Sequence, residues 1–423
     1  MFPKNAIISY SETAKPTRLL GYIMSKKNKT NKKIGKINPI IYHCAYLALK
    51  GKYTKKYGIT FDNSVVKDLK GPAIVVATHT CDKDHILSAL SLYPVRPTYI
   101  VSDHFMRKRS TAKLMKLAHV ITKKMFYADL STIRNVLRAK KENAVIVIFP
   151  EGRLSCYGKT LPITEGTAEL IKKLGVDLYA WKAEGAYLTF PKWRDEGDER
   201  CGKINSSVKL LLTADDVSKT SVEEIKSITA QAIYNDDELA MEGVEYKSDD
   251  IARGVDKILF KCPNCLQEGK ITASEGHIRC ECGFDAELDN FYRLHNAPFT
   301  RLNEWFDWQQ DSIDLETETL STKAKLGFCG EDGFMDNEAG EGEVYLDKNV
   351  FKITGTIHGK PIEYNLPTEK MVAFPVTPGE HFDVYVNGKL IHVFPLPDPK
   401  ATVKWVCFLD KLTASRKDLE KTL

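Results

Sequence analysis

The sequence has 423 residues, against roughly 100–200 for a typical domain, so a single small module is excluded. With 43% hydrophobic and 28% charged residues, the chain is not disordered as a whole. The net charge is only +5, but the first 60 residues hold thirteen lysines and arginines against one acid, Glu12. This local basicity suits an anionic surface such as lipid headgroups, nucleic acid or phosphate.

Residues 1–60 are predicted to form a basic amphipathic region. Lysines between Lys26 and Lys36 precede the apolar run 37–49, and more lysines follow it. No window reaches the roughly 18–20 apolar residues of a membrane span, and no signal-peptide pattern opens the chain. We therefore predict a cytoplasmic protein whose N-terminal helix lies in the headgroup plane at the inner face of the membrane. The alternative is a helix that packs on its own domain and exposes its lysines to solvent.

Residues 61–235 alternate short apolar runs with helical patterns. The runs predict strands over 72–77, 97–101, 144–149, 176–181 and 208–212, and the helical patterns predict helices over 129–141, 164–174 and 222–234. The continuous β-branched runs indicate strands that are covered on both faces. Strands and helices in alternation predict an α/β fold, with a mixed sheet and helices on both of its faces.

The rest of the chain divides by composition into four predicted segments. These are a helical linker at 236–258, a zinc ribbon at 259–290, an acidic linker at 291–340 and a β-rich domain with a closing helix at 341–423. The dipeptide Asn387-Gly388 predicts a two-residue hairpin turn, and Asp398-Pro399 predicts the start of the last helix, which carries Trp405. Strands followed by such a helix resemble a pleckstrin-homology or GRAM-type barrel. The alternative is a β-rich accessory domain without a ligand.

Two polar clusters follow the two most apolar predicted strands. His79 and Asp84 come after the strand at 72–77, and Glu151, Gly152 and Arg153 come after the strand at 144–149. The carboxyl ends of the strands of an open α/β sheet line its ligand crevice, so both clusters are predicted on one rim. A histidine can accept a proton near neutral pH, and a carboxylate five residues later can hold its tautomer.

Several assignments stay open when the residue types are considered alone. Arg153 offers a fork of donors to a phosphate, but it could also form a surface ion pair. Asp82 and His85 are rival partners for His79. Cys81, two residues after His79, could serve as a nucleophile.

Together the two clusters resemble the glycerolipid acyltransferase family. Its signature is His-x4-Asp, here His79 to Asp84, and a later Phe-Pro-Glu-Gly with an arginine close behind. In that family the histidine is the general base, the aspartate orients it, and the Glu-Gly-Arg segment binds the glycerol phosphate. The resemblance therefore implies catalytic roles for His79 and Asp84 and substrate-binding roles for Glu151, Gly152 and Arg153.

The resemblance implies one more binding residue and shows some departures. A further phosphate-gripping segment of the family corresponds best to residues 118–124, where Lys124 replaces the usual arginine and loses its bidentate fork. Thr78 stands where the family often has asparagine, and Arg153 follows Gly152 directly. This last form resembles the bacterial branch of the family, which reacylates lysophospholipids.

Four of the ten cysteines are crowded into one short segment. Cys262 and Cys265 form the first pair, and Cys280 and Cys282 form the second after fourteen intervening residues. In a reducing compartment such crowding indicates a metal site rather than disulfides, and two knuckles can present four thiolates to one structural zinc. Iron or a redox dithiol is the alternative, and His277 could replace one sulfur. The surrounding basic residues are partly offset by acids, so no nucleic-acid partner is expected.

The sequence therefore predicts a peripheral membrane O-acyltransferase. The expected partners are an acyl donor, either acyl carrier protein or acyl-CoA, a lysophosphatidic acid or other lysophospholipid acceptor, and a membrane surface. Two alternatives are an inactive acyltransferase-like protein that uses its zinc ribbon as a binding module, and a hydrolase that uses Cys81.

Overall fold

The computed structural model describes residues 33–126, 129–195 and 197–422. Its helices are α1 (Pro39–Tyr57), α2 (Asp84–Ser91), α3 (His104–Arg107), α4 (Arg109–Leu117), α5 (Leu130–Lys141), α6 (Thr167–Leu174), α7 (Ala186–Thr189), α8 (Ala214–Lys219), α9 (Val222–Ile233), α10 (Asp237–Ala240), α11 (Leu302–Asp311) and α12 (Thr402–Thr422). Its strands are β1 (Ile59–Asp62), β2 (Ala73–Ala77), β3 (Thr98–Ser102), β4 (Ile121–Lys123), β5 (Val145–Ile148), β6 (Asp177–Glu184), β7 (Ile204–Leu212), β8 (Ile271–Ser274), β9 (His277–Cys280), β10 (Asp285–Leu288), β11 (Leu294–His295), β12 (Leu320–Cys329), β13 (Met335–Leu346), β14 (Val350–Ile357), β15 (Lys360–Pro367), β16 (Val376–Thr377), β17 (His381–Val386) and β18 (Lys389–Leu396).

The first seven strands form one sheet in the order β1-β7-β6-β2-β5-β3-β4. All neighbouring strands in it are parallel except β6 and β7, which are antiparallel. The predicted α/β class with a mixed sheet is therefore confirmed, and we call residues 59–233 the α/β unit. The sequence pattern does not predict β1 and β4, because four and three residues are too few to show a period.

The sheet is covered on both faces because its central strands are apolar on both sides. In β2, Val75 faces one hydrophobic core and Ile74 faces the other. Helix α2 contributes Leu87 to the first core, and α6 contributes Ile171 to the second. Since β2 and β5 are adjacent and parallel, the loops after both strands lie at the same edge of the sheet.

Helix α1 contains most of the predicted apolar run and presents apolar side chains on two faces. On the inner face, the ring of Tyr46 stacks on that of Tyr93 with centroids 3.6 Å apart. On the outer face, Ile40 is 72% exposed and Leu47 is 57% exposed. The first 32 residues of the predicted basic region lie outside the described residues. Within the described part of the chain, no helix combines the length and apolarity needed to cross a bilayer.

The predicted helical linker at 236–258 is wrong. Its regular structure consists of the four-residue helix α10 and one 3₁₀ turn. The polar residues that suggest a solvated helix are buried acceptors instead: Asp237 accepts backbone N–H groups of Gly185 and Tyr187 at 2.8 and 2.6 Å. After this segment, β8 to β11 form a small antiparallel sheet in the order β11-β10-β9-β8. Cys280 is the last residue of β9, and Cys282 lies in the turn that follows.

The predicted acidic linker at 291–340 is also wrong, because it contains α11, β12 and the start of β13. Its acids and lysines occupy the solvent face of a hairpin: Lys323 lies opposite Glu343, and Lys325 lies opposite Glu341. Opposite charges across antiparallel strands stabilise such a pairing. The number of acids alone suggests a linker, whereas their alternation with buried residues indicates a strand.

Strands β12 to β18 form an antiparallel sheet in the order β15-β14-β13-β12-β18-β17-β16, which α12 follows. We call residues 320–422 the C-terminal sheet unit. Trp405 of α12 stacks on Phe382 with ring centroids 5.3 Å apart, so the helix closes the core of this unit. The β-rich C-terminal region is thus confirmed, while the resemblance to a pleckstrin-homology or GRAM barrel stays a prediction. The same core contains Tyr187 and Trp193, which belong to the α/β unit, so the two units are packed together.

Candidate active site

His79 and Asp84, the predicted catalytic pair, are in contact at the carboxyl end of β2. His79 follows β2 by two residues, and Asp84 is the first residue of α2. Nδ1 of His79 lies 3.1 Å from Oδ2 of Asp84. When Nδ1–H donates to this carboxylate, Nε2 keeps a lone pair that can accept a proton. The His79 side chain is 27% exposed and that of Asp84 is 1% exposed, so a buried acid orients a base that a substrate can reach.

The carboxylate of Asp84 is fixed by the turn that carries Cys81. The Cys81 N–H donates to Oδ2 at 2.9 Å, and its thiol donates to Oδ1 at 3.1 Å. Burial raises the pKa of the Cys81 thiol well above its ordinary value, which disfavours the thiolate that a nucleophile needs. The rival acid Asp82 is exposed and pairs with Arg194 at 3.2 Å. The geometry therefore favours Asp84 as the partner of His79.

Glu151 holds the two loops together from the inside. Its Oε1 accepts the backbone N–H of His79 at 2.7 Å, and its Oε2 accepts the backbone N–H of Leu161 at 2.7 Å. Glu151 is 4% exposed. Since both carboxylate oxygens are already engaged within the protein, the geometry favours Glu151 as a positioning residue rather than as the direct substrate ligand that the sequence suggests.

The turn after β5 brings Phe149 and Gly152 into the same site. The rings of His79 and Phe149 stack with centroids 4.4 Å apart. Gly152 has a φ of 76°, and a Cβ added there would lie 2.8 Å from Cγ2 of Thr164. Only glycine adopts this backbone conformation without strain at such a close approach. The sharp turn therefore directs Glu151 under the His79 loop.

Arg153 contacts the C-terminal sheet unit, whereas the family resemblance predicts that it binds a substrate phosphate. Its guanidinium pairs with the carboxylate of Asp410 in α12 and donates to the carbonyl oxygen of Phe374 at 3.2 Å. The Arg153 side chain is 11% exposed. The sequence does not reveal this role, because Asp410 lies 257 residues further along the chain.

Comparison with known proteins identifies the family of the segment that carries this site. The family model described as Acyltransferase matches residues 58–181, which include His79, Asp84 and the turn from Phe149 to Arg153. This segment is an acyltransferase-family domain. The family predicted from the two motifs is thereby confirmed. Among solved structures, the chain is similar to the 1-acyl-sn-glycerophosphate acyltransferase PlsC of Thermotoga maritima, with 15% identity over 51% of this chain and 84% of that chain and a TM-score of 0.39.

Two lysines of different exposure lie near the acyltransferase domain's rim. Lys124, the predicted phosphate ligand, follows β4 and is exposed. Lys192, which the sequence analysis does not single out, is half-buried, and its ammonium group has no ion pair or hydrogen bond with any described residue. Burial lowers the pKa of Lys192, and the carboxylates of Asp82 and Asp383 lie within electrostatic range. A half-buried cation without a direct partner is a suitable ligand for an anionic group.

The four predicted zinc ligands converge beyond the acyltransferase domain. The Sγ atoms of Cys262 and Cys282 are 3.8 Å apart, as are those of Cys265 and Cys280, and all four lie within 4.8 Å of one another. Four sulfurs at about 2.3 Å from a tetrahedral zinc would be separated by about 3.8 Å. The cluster therefore fits a zinc ion, which would hold the two knuckles together when bound.

Proposed function

We propose that this protein transfers a fatty acyl group from an acyl thioester to the free hydroxyl of a lysophospholipid. The donor would be acyl-CoA or acyl carrier protein, and the acceptor lysophosphatidic acid or a related lysolipid. The observation that carries this proposal is the His79–Asp84 contact at the mouth of an acyltransferase-family domain. An orienting acid, an accessible imidazole and a cationic rim are the components that such a transfer needs.

The proposed reaction proceeds by general base catalysis. Nε2 of His79 accepts the proton of the acceptor hydroxyl while the oxygen attacks the thioester carbonyl carbon. The carbon–sulfur bond then breaks, and the imidazolium returns the proton to the departing thiolate. The carboxylate of Asp84 stabilises the imidazolium between these two steps. No acyl-enzyme forms, which agrees with the buried, hydrogen-bonded thiol of Cys81.

We assign the acceptor phosphate to Lys192 and Lys124 rather than to Arg153. Arg153 has its guanidinium already neutralised by Asp410, whereas neither lysine ammonium has a direct counterion among the described residues. In this assignment Glu151 and Gly152 do not touch the substrate. They act indirectly, because they set the position of the His79 loop. The bound phosphate would place the glycerol hydroxyl on the His79 side of the rim.

Helix α1 supports the proposed attachment to an anionic membrane surface. Ile40 and Leu47 lie two turns apart on its outer face and are mostly exposed, with Lys50 and Lys52 close behind. Apolar side chains flanked by lysines are typical of helices that lie in the lipid headgroup region. An inner-leaflet position would give the enzyme direct access to lysolipids.

The reaction is tested by thiol release from acyl-CoA or acyl carrier protein in the presence of a panel of lysolipids. We expect His79→Ala to remove nearly all acceptor-dependent thiol release. His295→Ala, which changes an exposed histidine of β11, should retain it. Mass spectrometry of the products identifies the acceptor. Equal activity of His79→Ala and wild type would refute the mechanism. Thiol and free fatty acid released without an acceptor would indicate the hydrolase instead.

The phosphate and membrane assignments have separate tests. We expect Lys192→Met to raise the KM for a phosphorylated acceptor about tenfold or more with little change in kcat, since a charge-assisted contact contributes about 1.5–3 kcal/mol.

In sedimentation with phosphatidylglycerol vesicles, we expect the double variant Ile40→Asp and Leu47→Asp to bind less than wild type. Val372→Asp, at an exposed position of the C-terminal sheet unit, should bind like wild type. An unchanged KM, or unchanged sedimentation, would contradict the respective assignment.

A further inference from the structure

A second group of metal-ligating side chains lies between the acyltransferase domain and the C-terminal sheet unit. It consists of Nδ1 of His104, which begins α3, an oxygen of Asp383 in β17, and Nε2 of His392 in β18, all within 4.8 Å of one another. Asp383 and His392 are directly opposite each other in the antiparallel pair of strands, so their side chains share one face. His104 meets them from a position 288 residues before His392.

The separations of these atoms match the coordination shell of a tetrahedral metal ion. Nε2 of His392 lies 3.4 Å from Nδ1 of His104 and 3.5 Å from Oδ1 of Asp383. Nitrogen and oxygen ligands at about 2.0–2.1 Å from a tetrahedral zinc are about 3.3 Å apart. Two of the three separations therefore match such an ion, and the third, between His104 and Asp383, is within 4.8 Å.

The hydrogen-bond pattern directs two acceptor atoms, Nε2 of His392 and Oδ1 of Asp383, into this space, where Nδ1 of His104 lies within hydrogen-bonding distance of Nε2. Nδ1 of His392 lies 3.1 Å from Oδ1 of Asn337, so Nδ1–H donates to that amide and Nε2 carries no hydrogen. Oδ1 of Asp383 is buried and accepts no hydrogen bond from the described residues, although Nε2 of His381 lies 3.5 Å from it, as does Nε2 of His392. Two acceptors thus face each other at 3.5 Å. A buried carboxylate oxygen without a donor is costly, and a metal ion would satisfy it.

Both imidazoles are shielded from bulk solvent. His104 is 8% exposed and His392 is 1% exposed. Neutral imidazole nitrogens with one carboxylate suit zinc and similar divalent transition metals rather than calcium or magnesium.

We propose that His104, Asp383 and His392 form a binding site for a divalent transition-metal ion, best matched by Zn²⁺, with a fourth coordination position left for water. The site is separate from the four cysteines of the ribbon. It lies beside other contacts between the same two parts of the chain, such as Ser102 Oγ with the Tyr385 hydroxyl at 3.3 Å. A metal there would fasten the C-terminal sheet unit to the acyltransferase domain just after β3, at the edge that carries His79.

Cobalt substitution of the full-length protein tests this proposal and separates the two metal sites. Cobalt bound by the four cysteines gives intense sulfur-to-metal charge-transfer absorption, whereas cobalt bound by nitrogen and oxygen gives only weaker visible bands. We expect wild type to bind one equivalent of Co²⁺ more than Asp383→Asn and His104→Ala, with the charge-transfer band unchanged in all three. Asp383→Asn is nearly isosteric and should stay folded, so it still tests the metal site if His104→Ala unfolds.

His381 provides the matched control. It is a buried imidazole that stacks on His392 with ring centroids 4.5 Å apart, and its Nε2 lies 3.5 Å from Oδ1 of Asp383, but it does not belong to the group of three converging ligands. We expect His381→Phe to keep both equivalents of Co²⁺. The same stoichiometry in wild type and Asp383→Asn would refute the site, and loss of one equivalent in His381→Phe would refute the ligand assignment. Metal-dependent stabilisation gives an independent readout: Co²⁺ should raise the Tm of chelator-treated wild type more than that of Asp383→Asn.

Discussion

At the scale of single residues, the same short motif contains side chains with quite different roles. His79 and Asp84 are separated by five positions, so one turn between a strand and a helix brings them together, and the sequence predicts their contact. Glu151 belongs to the same signature, yet its carboxylate faces inward and accepts backbone N–H groups. The identity of a motif residue therefore does not tell whether it touches substrate or supports a residue that does.

Substitution of Asp84 tests its orienting role. We expect Asp84→Asn to lower kcat for acyl transfer by about 10²- to 10⁴-fold, because the amide stabilises the imidazolium poorly and favours the wrong tautomer of His79. The KM for the acceptor should change little. Initial rates of thiol release measure both parameters. Asp82→Asn is the matched control and should keep most of the activity; a larger loss in that variant would transfer the role to Asp82.

At the scale of elements, the sequence predicts long and apolar segments well and short or polar ones poorly. Strands β2 and β5 and helices α5 and α9 are predicted within a few residues, because uninterrupted β-branched runs or helical spacing mark them. The segment from α11 to β13 is missed, because its acidic composition obscures the alternation of Leu320, Ala324 and Leu326 in the core. The pairing of Asp383 with His392 follows from the predicted Asn387-Gly388 turn, whereas the approach of His104 depends on packing between distant elements.

Helix α10 carries a group that should make stability depend on pH. Burial raises the pKa of Glu238 to about 8, and its Oε2 accepts the backbone N–H of Asn303 in α11 at 3.3 Å. The folded state keeps this proton to higher pH than the unfolded state. The contribution of protonated Glu238 to the free energy of unfolding is therefore fully present below about pH 4 and is lost as the pH rises to about 8. The slope should approach 1.4 kcal/mol per pH unit between the two pKa values, that is, about 4 and 8.

Thermal unfolding of wild type and Glu238→Gln between pH 5 and pH 9 measures this contribution. An amide does not titrate, so the Tm of Glu238→Gln relative to wild type should rise with pH. Glu165→Gln, at an exposed position, should follow wild type throughout. Parallel profiles for Glu238→Gln and wild type would show that Glu238 stays ionised in the folded protein.

At the scale of the whole molecule, the acyltransferase domain and the C-terminal sheet unit share one hydrophobic core and a buried ion pair. Cys156 of the acyltransferase domain lies in the same core as Phe351 and Phe408 of the C-terminal sheet unit. The guanidinium of Arg153 reaches across to Asp410. The family resemblance assigns Arg153 to substrate binding, but in the structure Arg153 joins two parts of the chain. The sequence of either part alone does not reveal this ion pair.

A double-mutant cycle separates these two roles of Arg153. We expect Asp410→Leu to lower the free energy of unfolding by about 3–5 kcal/mol, because it leaves a buried guanidinium without a counterion. The double variant Arg153→Met and Asp410→Leu should recover much of that loss. Denaturant unfolding measures both changes. Additive losses, together with a raised acceptor KM in Arg153→Met, would return Arg153 to the role of phosphate ligand.

The shared core also limits how this protein can be recombined with others. Because Tyr187 and Trp193 are covered by residues from the second half of the chain, transplanting the first half into a chimaera would leave large aromatic surfaces open to water. Hybrids built to exchange acyl-chain preference should therefore keep both halves from one parent and vary only the loops of the rim.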